Sequence, residues 1–228
     1  MKKSEMKITE LFDLERTMAK PLLEQYEYPW EVLPHIGEFI LKLGEELPKS
    51  EYHKPAEGIW IHRTAKIAPT AGIIAPVIIG PCAEIRHCAF IRGKVIVGAN
   101  AVIGNSSELK NVIISDFVQV PHYNYVGDSI LGYRAHMGAG SITSNVKSDK
   151  TLVKVHAEDG DIDTGLKKFG AMLGNGVEVG CGSVLNPGTV IGANTNIYPL
   201  SSVRGCVDKG SIYKKQGEVA EKYKNRFE

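Results

Sequence analysis

The chain has 228 residues, with 27 basic and 26 acidic side chains, a formal charge of +1 and 43% hydrophobic residues. That near-balance argues against nucleic acid or an anionic membrane as the main partner, so a phosphate-bearing ligand would have to meet a local basic cluster. The opening MKKSEMKITELFDL has lysines but no apolar core, and no long uncharged apolar run occurs elsewhere; both features point to a soluble, cytoplasmic protein.

Residues 1–57 read as a small helical cap. Leu11, Leu14, Met18, Leu22 and Leu23 recur near helical spacing, with Pro21 expected to bend or break the helix. Pro34 is placed to open a second helix with Ile36, Phe39, Ile40 and Leu43 on its apolar face and Gly44 near its end. A β-solenoid end exposes unpaired backbone groups, which gives such a cap its purpose.

From Ile59 the pattern changes. Ile61, Ile67, Ile73, Ile79, Ile85, Ile91, Val97, Ile103 and Leu109 fall at an unbroken spacing of six, as do Leu173, Val179, Leu185, Ile191, Ile197 and Val203. Neither a helix nor a single strand has that period; a fixed short repeat does. Each hexad is a short strand plus a corner, and three hexads close a coil of eighteen residues. The aliphatic residues point inward, and coils stack about 4.8 Å apart. The fold class is therefore all-β, a parallel β-helix over residues 58–205. The beat slips by one residue after Leu109 and again after Val126, making Ile114, Val120, Val126, Leu131, Met137 and Thr143 the next inward positions. Residues 146–168 break the repeat with charges and two glycines, an insertion of a length that is either functional or disordered. The repeat resumes at Phe169. The tail, 206–228, reads as a docking helix over the far end, with Ile212, Val219, Ala220 and Tyr223 on one face. Cys82, Cys88, Cys181 and Cys206 form no CxxC pair. Cys82 and Cys88 fall on different faces, and small buried thiols in a reducing compartment are expected.

Coil counting also assembles a site. Lys110 follows Arg92 by eighteen residues, one full coil, so the two cations stack on one face and favour an anion between them. A phosphate suits them, since Arg offers a fork and Lys a point charge. His122 lies two positions after Val120, and three hexads on the same register reaches Ala139 between Gly138 and Gly140. A neutral imidazole beside accessible backbone N–H groups is what acyl transfer needs: a base for the nucleophile's proton and a donor for the oxyanion.

The runs Gly104-Asn105-Ser106-Ser107-Glu108-Leu109-Lys110, His122-Tyr123-Asn124-Tyr125-Val126-Gly127-Asp128 and Gly138-Ala139-Gly140-Ser141-Ile142-Thr143-Ser144-Asn145 resemble the acetyltransferase domain of the bifunctional glucosamine-1-phosphate N-acetyltransferases/uridyltransferases. Asp163 to Ala171 is similar to the archaeal-type sugar-1-phosphate acetyltransferases. The resemblance implies a left-handed coil, a homotrimer with sites shared between subunits, and acetyl-CoA-dependent N-acetylation of an amino-sugar 1-phosphate in nucleotide-sugar biosynthesis, with no metal required. It implies His122 as general base, with Asn145 and the Ala139 backbone at the reacting centre. Arg92, Lys110, Tyr125 and, more loosely, Lys150 would hold the sugar phosphate. His136 stands where the family has a sugar-binding asparagine. Acetyl-CoA would lie along Ala139, Cys181, Pro199 and Arg204, with Cys181 in place of a family serine. Uridyltransferase activity is not expected, because fifty-seven residues cannot hold the Gly-rich α/β domain that it needs. A γ-type carbonic anhydrase requires a His-x4-His pair, which the gaps between His62, His87, His122, His136 and His156 do not provide. A scaffold that kept the fold and lost turnover is the other rival.

Overall fold

A computed structural model describes residues 1–222. The hexads build a parallel β-helix of three-sided coils. Fourteen of the described strands form one sheet that wraps two faces, nine form the sheet of the other face, and a two-stranded hairpin stands apart. The aliphatic residues of the repeat fill the interior: from Ile79 to Leu131 every inward position is 1% exposed or less, and Met137 and Thr143 are fully buried.

The corners explain the two slips. One coil earlier on the same edge the turn uses two left-handed residues, Gly93 (φ 82°) and Lys94 (φ 55°); the shortened ones use Asn111 (φ 55°) and Asp128 (φ 48°) alone. With one residue fewer to turn through, Glu108–Ile114 and Tyr125–Leu131 run on as continuous strands around the same edge. Asn111 and Asp128 then lie one above the other, joined by Asn111 Nδ2–Asp128 Oδ1 at 2.9 Å. Shortened steps re-aim side chains, as bulges do in flatter sheets.

The helical pieces of residues 1–57 do not cap an end. They form short pieces (Ile8–Leu11, Leu14–Arg16, Lys20–Leu23, Pro29–His35) and the longer helix Ile36–Glu46. Pro21 sits in the first turn of its helix rather than breaking it. Together they lie along one face, over a column formed by Trp60, Ile78, Ile96, Ile113, Ile130, Met172 and Val190. Met6, Ile8, Leu11, Trp30, Leu33, Ile36 and Ile40 bury this column. The physical reason is in the sequence: each of these strands carries an apolar doublet (Ile78-Ile79, Ile96-Val97, Ile113-Ile114), so both of its surfaces are apolar and the outer one needs a cover. Gly44 is a contact point rather than a terminator, because a Cβ there would stand 2.4 Å from the Trp60 ring.

The stack ends are closed by antiparallel strands. Tyr52–Ala56 pairs with Ile59–His62 at one end, and Glu218–Glu221 with Ser211–Lys215 at the other. The expected C-terminal helix is thus replaced by a hairpin. Hydrogen bonding to the last open strand satisfies backbone groups that a helix would leave bare. Tyr223 lies outside the described residues. In the insertion, Lys154–Ala157 and Gly160–Asp163 form a hairpin, and Val153 and Val155 are buried beneath the helical segment. Phe169 faces outward as well, stacked on Trp30 at 5.8 Å, so the interior resumes at Ala171 and Leu173. Among the described residues no helix is long and apolar enough to cross a membrane.

The cysteines depart from expectation. Cys82, Cys88 and Cys181 are exposed, the first two because they occupy left-handed corners (φ 54° and 60°) that turn the side chain outward. Only Cys206 is enclosed, and burial pushes its thiol up to about 12. A thiol held neutral does not act as a nucleophile. Ellman titration of the folded protein should count three reactive thiols and release the fourth only in denaturant; four fast thiols would contradict the packing of Cys206 beneath Met6.

Candidate active site

Two groups of predicted residues meet across one corner. On the face after it, Arg92 and Lys110 are in register, since Phe90 pairs with Glu108 and Ile91 with Leu109. Coil counting placed them correctly. They are not, however, a pair of unneutralised cations. Arg92 Nη1 bonds Glu108 Oε1 at 2.5 Å, and Lys110 Nζ lies 3.2 Å from Asp128 Oδ1. The chain itself supplies the anions that stacking cations demand. The two pairs differ in kind. Arg92 and Glu108 are 47% and 31% exposed, whereas the Asp128 side chain is 4% exposed. An exposed pair is worth about 0–1 kcal/mol, so a bidentate phosphate can displace Glu108.

Tyr125 and Asn145 join the same cluster. Asn145 Nδ2 donates to Asp128 Oδ2 at 2.5 Å and to the Tyr125 hydroxyl at 3.2 Å. Burial, reinforced by Asp128 and Glu108, pushes the Tyr125 phenol above its usual range, so it remains a protonated donor at neutral pH. Gly127 makes room for them. It follows Lys110 in register, and a Cβ on it would lie 2.5 Å from the Tyr125 hydroxyl and 2.9 Å from Asn145 Nδ2.

Before the corner, His122 closes the strand Gln119–His122, with its side chain exposed. It pairs with Asn105 below. Above it the register reaches Ala139, and the Gly140 amide donates to the His122 carbonyl at 2.9 Å. The imidazole thus faces outward beside Gly138–Gly140, as coil counting required. The flanking amides are occupied, Gly138 on the Val179 carbonyl at 2.7 Å and Gly140 on that of His122. The Ala139 amide finds no acceptor among the described residues. Asn124, 3% exposed, holds this arrangement: its oxygen accepts from the His122 amide at 3.0 Å, and its nitrogen donates to the Gly138 carbonyl at 2.8 Å and the Ser141 carbonyl at 3.0 Å. One buried amide therefore ties the His122 coil to the Ala139 coil.

The column above His122 continues through Ala139, Cys181 and Pro199, shown by amide bonds from Gly182 to Ala139 and from Leu200 to Cys181, both 2.9 Å. Three of the four residues expected along the coenzyme are therefore successive rungs. Arg204 is not the fourth. Leu185 pairs with Val203, so Arg204 stands over Asn186 on the Lys110 face, where it lines a cleft of about 330 Å³ with Lys147, Lys154 and His156. At the top of the His122 column stand Lys214 and Lys215, which follow Tyr213 opposite Ile197. His136 is also elsewhere within one chain. It pairs with Gln119, three residues before His122, and its Nδ1 bonds Glu178 at 2.7 Å. Lys150 is an exposed loop residue with φ 58° and joins neither cluster. Spacing did not single out Glu108, Asn124 or Asp128; the two shortened steps were the available signal for Asp128. Among the described residues no group of three or more His, Cys, Asp or Glu is gathered to hold a metal ion.

Comparison with known proteins shows what the chain is similar to. Residues 73–166 match the family model described as the GMPPB C-terminal domain. The bifunctional protein GlmU of Methanococcus aeolicus is 35% identical over 138 residues, 60% of this chain and 33% of that protein. A bifunctional sugar-1-phosphate nucleotidylyltransferase/acetyltransferase of Sulfurisphaera tokodaii is 34% identical over 126 residues, 55% of this chain and 31% of its own length. The chain thus spans about a third of the length of these curated relatives. A solved hexapeptide transferase family protein from Anaplasma phagocytophilum aligns with 74% of this chain and 82% of its own at 19% identity and a TM-score of 0.41. Over its β-helix, this chain is a hexapeptide-repeat protein homologous to the bifunctional sugar-1-phosphate nucleotidylyltransferase/acetyltransferases.

Proposed function

We propose that the protein is an acetyl-CoA-dependent N-acetyltransferase acting on an amino-sugar 1-phosphate such as glucosamine-1-phosphate, in nucleotide-sugar biosynthesis. The observation that carries this reading is the Ala139 amide, without an acceptor among the described residues, one rung above an outward-facing His122. His122 takes the proton of the sugar amine as its nitrogen attacks the thioester carbonyl, and the Ala139 N–H receives the oxygen that becomes negative. As the tetrahedral intermediate collapses, the C–S bond breaks and the imidazolium returns a proton to the departing thiolate. No acyl-enzyme is needed, since Cys206 is partly buried with its thiol pushed up to about 12 and Cys181 lies two rungs above His122. Arg92, Lys110 and the Tyr125 hydroxyl take the sugar phosphate, with Glu108 giving way. The names of the relatives support the substrate class. Acetyl-CoA would follow the column Ala139, Cys181, Pro199, with Lys214 and Lys215 towards its phosphates in place of the Arg204 first expected.

The working unit we propose is a homotrimer. Tyr123 and Leu200 are 65% and 85% exposed at the corner beside His122, and both hold left-handed backbone. Bulky residues in that conformation each cost about 1–2 kcal/mol, which a subunit contact at this corner would offset. Light scattering should give three chains per particle.

The decisive assay is acetyl-CoA consumption across a panel of hexosamine 1-phosphates. No turnover on any of them, with tight sugar-phosphate binding by calorimetry, would leave a binding scaffold instead. Arg92→Ala should raise the KM for the sugar phosphate about tenfold with kcat nearly unchanged, because it removes a ground-state contact. Equal losses in both parameters would count against the phosphate assignment.

A further inference from the structure

The second shortened coil step places a carboxylate at its turn, and its surroundings are unusual. Asp128 is 3% exposed and lies at φ 48°. It accepts from three side chains on the coils below and above: Lys110 at 3.2 Å and Asn111 at 2.9 Å below, and Asn145 at 2.5 Å above. An ionised carboxylate only accepts, so each amide must turn its nitrogen towards it. For Asn111 this has a cost: its Oδ1 is buried with no partner among the described residues. The carboxylate's demand outweighs an orphaned oxygen. For Asn145 the same demand has a use. Both Nδ2 protons are spent, one on Asp128 and one on the Tyr125 hydroxyl. Its Oδ1 is left as an acceptor in the cluster that also contains Lys110.

We propose that Asp128 is the positioning residue of the acetyl transfer, locking the Asn145 amide with its oxygen towards the acceptor so that the site selects an N–H donor at the reacting atom. The inference rests on the acetyltransferase reading. An acceptor amine has N–H to offer the Asn145 oxygen, and that bond holds its lone pair towards the thioester carbonyl. An Asn145 free to flip would present its own N–H to the amine half of the time. Asp128 also holds Lys110 against its own attraction to the phosphate. Removing the Asp128 charge therefore leaves phosphate affinity intact or stronger, while the reacting atom is held less well.

The test is a double-mutant cycle in the full chain, with Asp128→Asn, Asn145→Ala and the pair, assayed on the best hexosamine 1-phosphate. Asp128→Asn should lower kcat about 10- to 100-fold without raising the sugar KM, and the double variant should be no slower than Asn145→Ala alone. Losses that multiply in the double variant, or a raised KM, would overturn the positioning role while leaving acetyl transfer standing. A wild-type protein silent on the whole panel overturns acetyl transfer, and this inference with it. Should Asp128→Asn not fold, wild-type protein labelled with ¹⁵N-asparagine carries the question, Asn145→Ala identifying the signal. A downfield, slowly exchanging Asn145 side-chain proton supports the carboxylate bond, and an ordinary fast-exchanging pair contradicts it.

Discussion

His122→Ala lowers kcat by about 10²- to 10⁴-fold, the usual contribution of a positioned general base, while the melting temperature stays within a few degrees of wild type. The two halves of that expectation have separate causes. The ring is exposed and has no hydrogen-bond partner among the described residues, so truncation leaves no cavity and no orphaned polar atom. The backbone around it is held without the ring: the His122 amide bonds Asn124 Oδ1 at 3.0 Å, and its carbonyl accepts from Gly140 at 2.9 Å. Those bonds persist in alanine. What is lost is the group proposed to take the amine proton. Steady-state kinetics with acetyl-CoA and the best hexosamine 1-phosphate, beside a thermal melt, checks both halves. A variant with wild-type kcat would remove His122 from the chemistry, and a collapsed melt would mean that the ring braces the coil.

The largest structural effect is expected one coil lower. Gly104→Ala places a Cβ 1.5 Å from the Pro121 carbonyl oxygen and 2.1 Å from its carbon. Both are backbone atoms of the neighbouring coil, and no side chain can swing aside to relieve the contact. Overpacking of this kind costs about 1–3 kcal/mol where side chains can adjust; against backbone about 3 kcal/mol or more is expected, a fall in melting temperature of roughly 6–12 °C. Because Pro121 precedes His122, the displaced coil also carries the proposed base away from Ala139, and kcat should fall with the melting temperature. Gly140→Ala is the matched control. It meets nothing within 4 Å but holds φ 70°, so it carries only the left-handed penalty of about 1–2 kcal/mol. Equal melting temperatures for the two variants would contradict the close approach of the Gly104 and Pro121 coils.

Chemically, the site depends on rigidity more than on charge. Arg92, Lys110, Glu108 and Asp128 sum to no net charge, and the Ala139 amide is available only because Asn124 and the flanking glycine amides anchor the strands on either side. A β-helix suits this, since adjacent coils repeat at one sheet spacing and residues eighteen apart hold a fixed relation.

The amino-acid sequence by itself determined the β-helix, its inward positions through both slips, and the registers of Arg92 with Lys110 and of His122 with Ala139. It could do so because those relations are periodic, and a fixed repeat converts separation along the chain into distance between coils. Only the tertiary structure decided what breaks the period: that the helical pieces of residues 1–57 lie along a face rather than over an end, that a hairpin and not a helix closes the far end, and that Arg204 belongs to the Lys110 column. It also showed that each stacked cation already has a carboxylate. Those outcomes depend on which outer surface is apolar and on which side chains reach one another across a corner, and spacing along a chain does not record either.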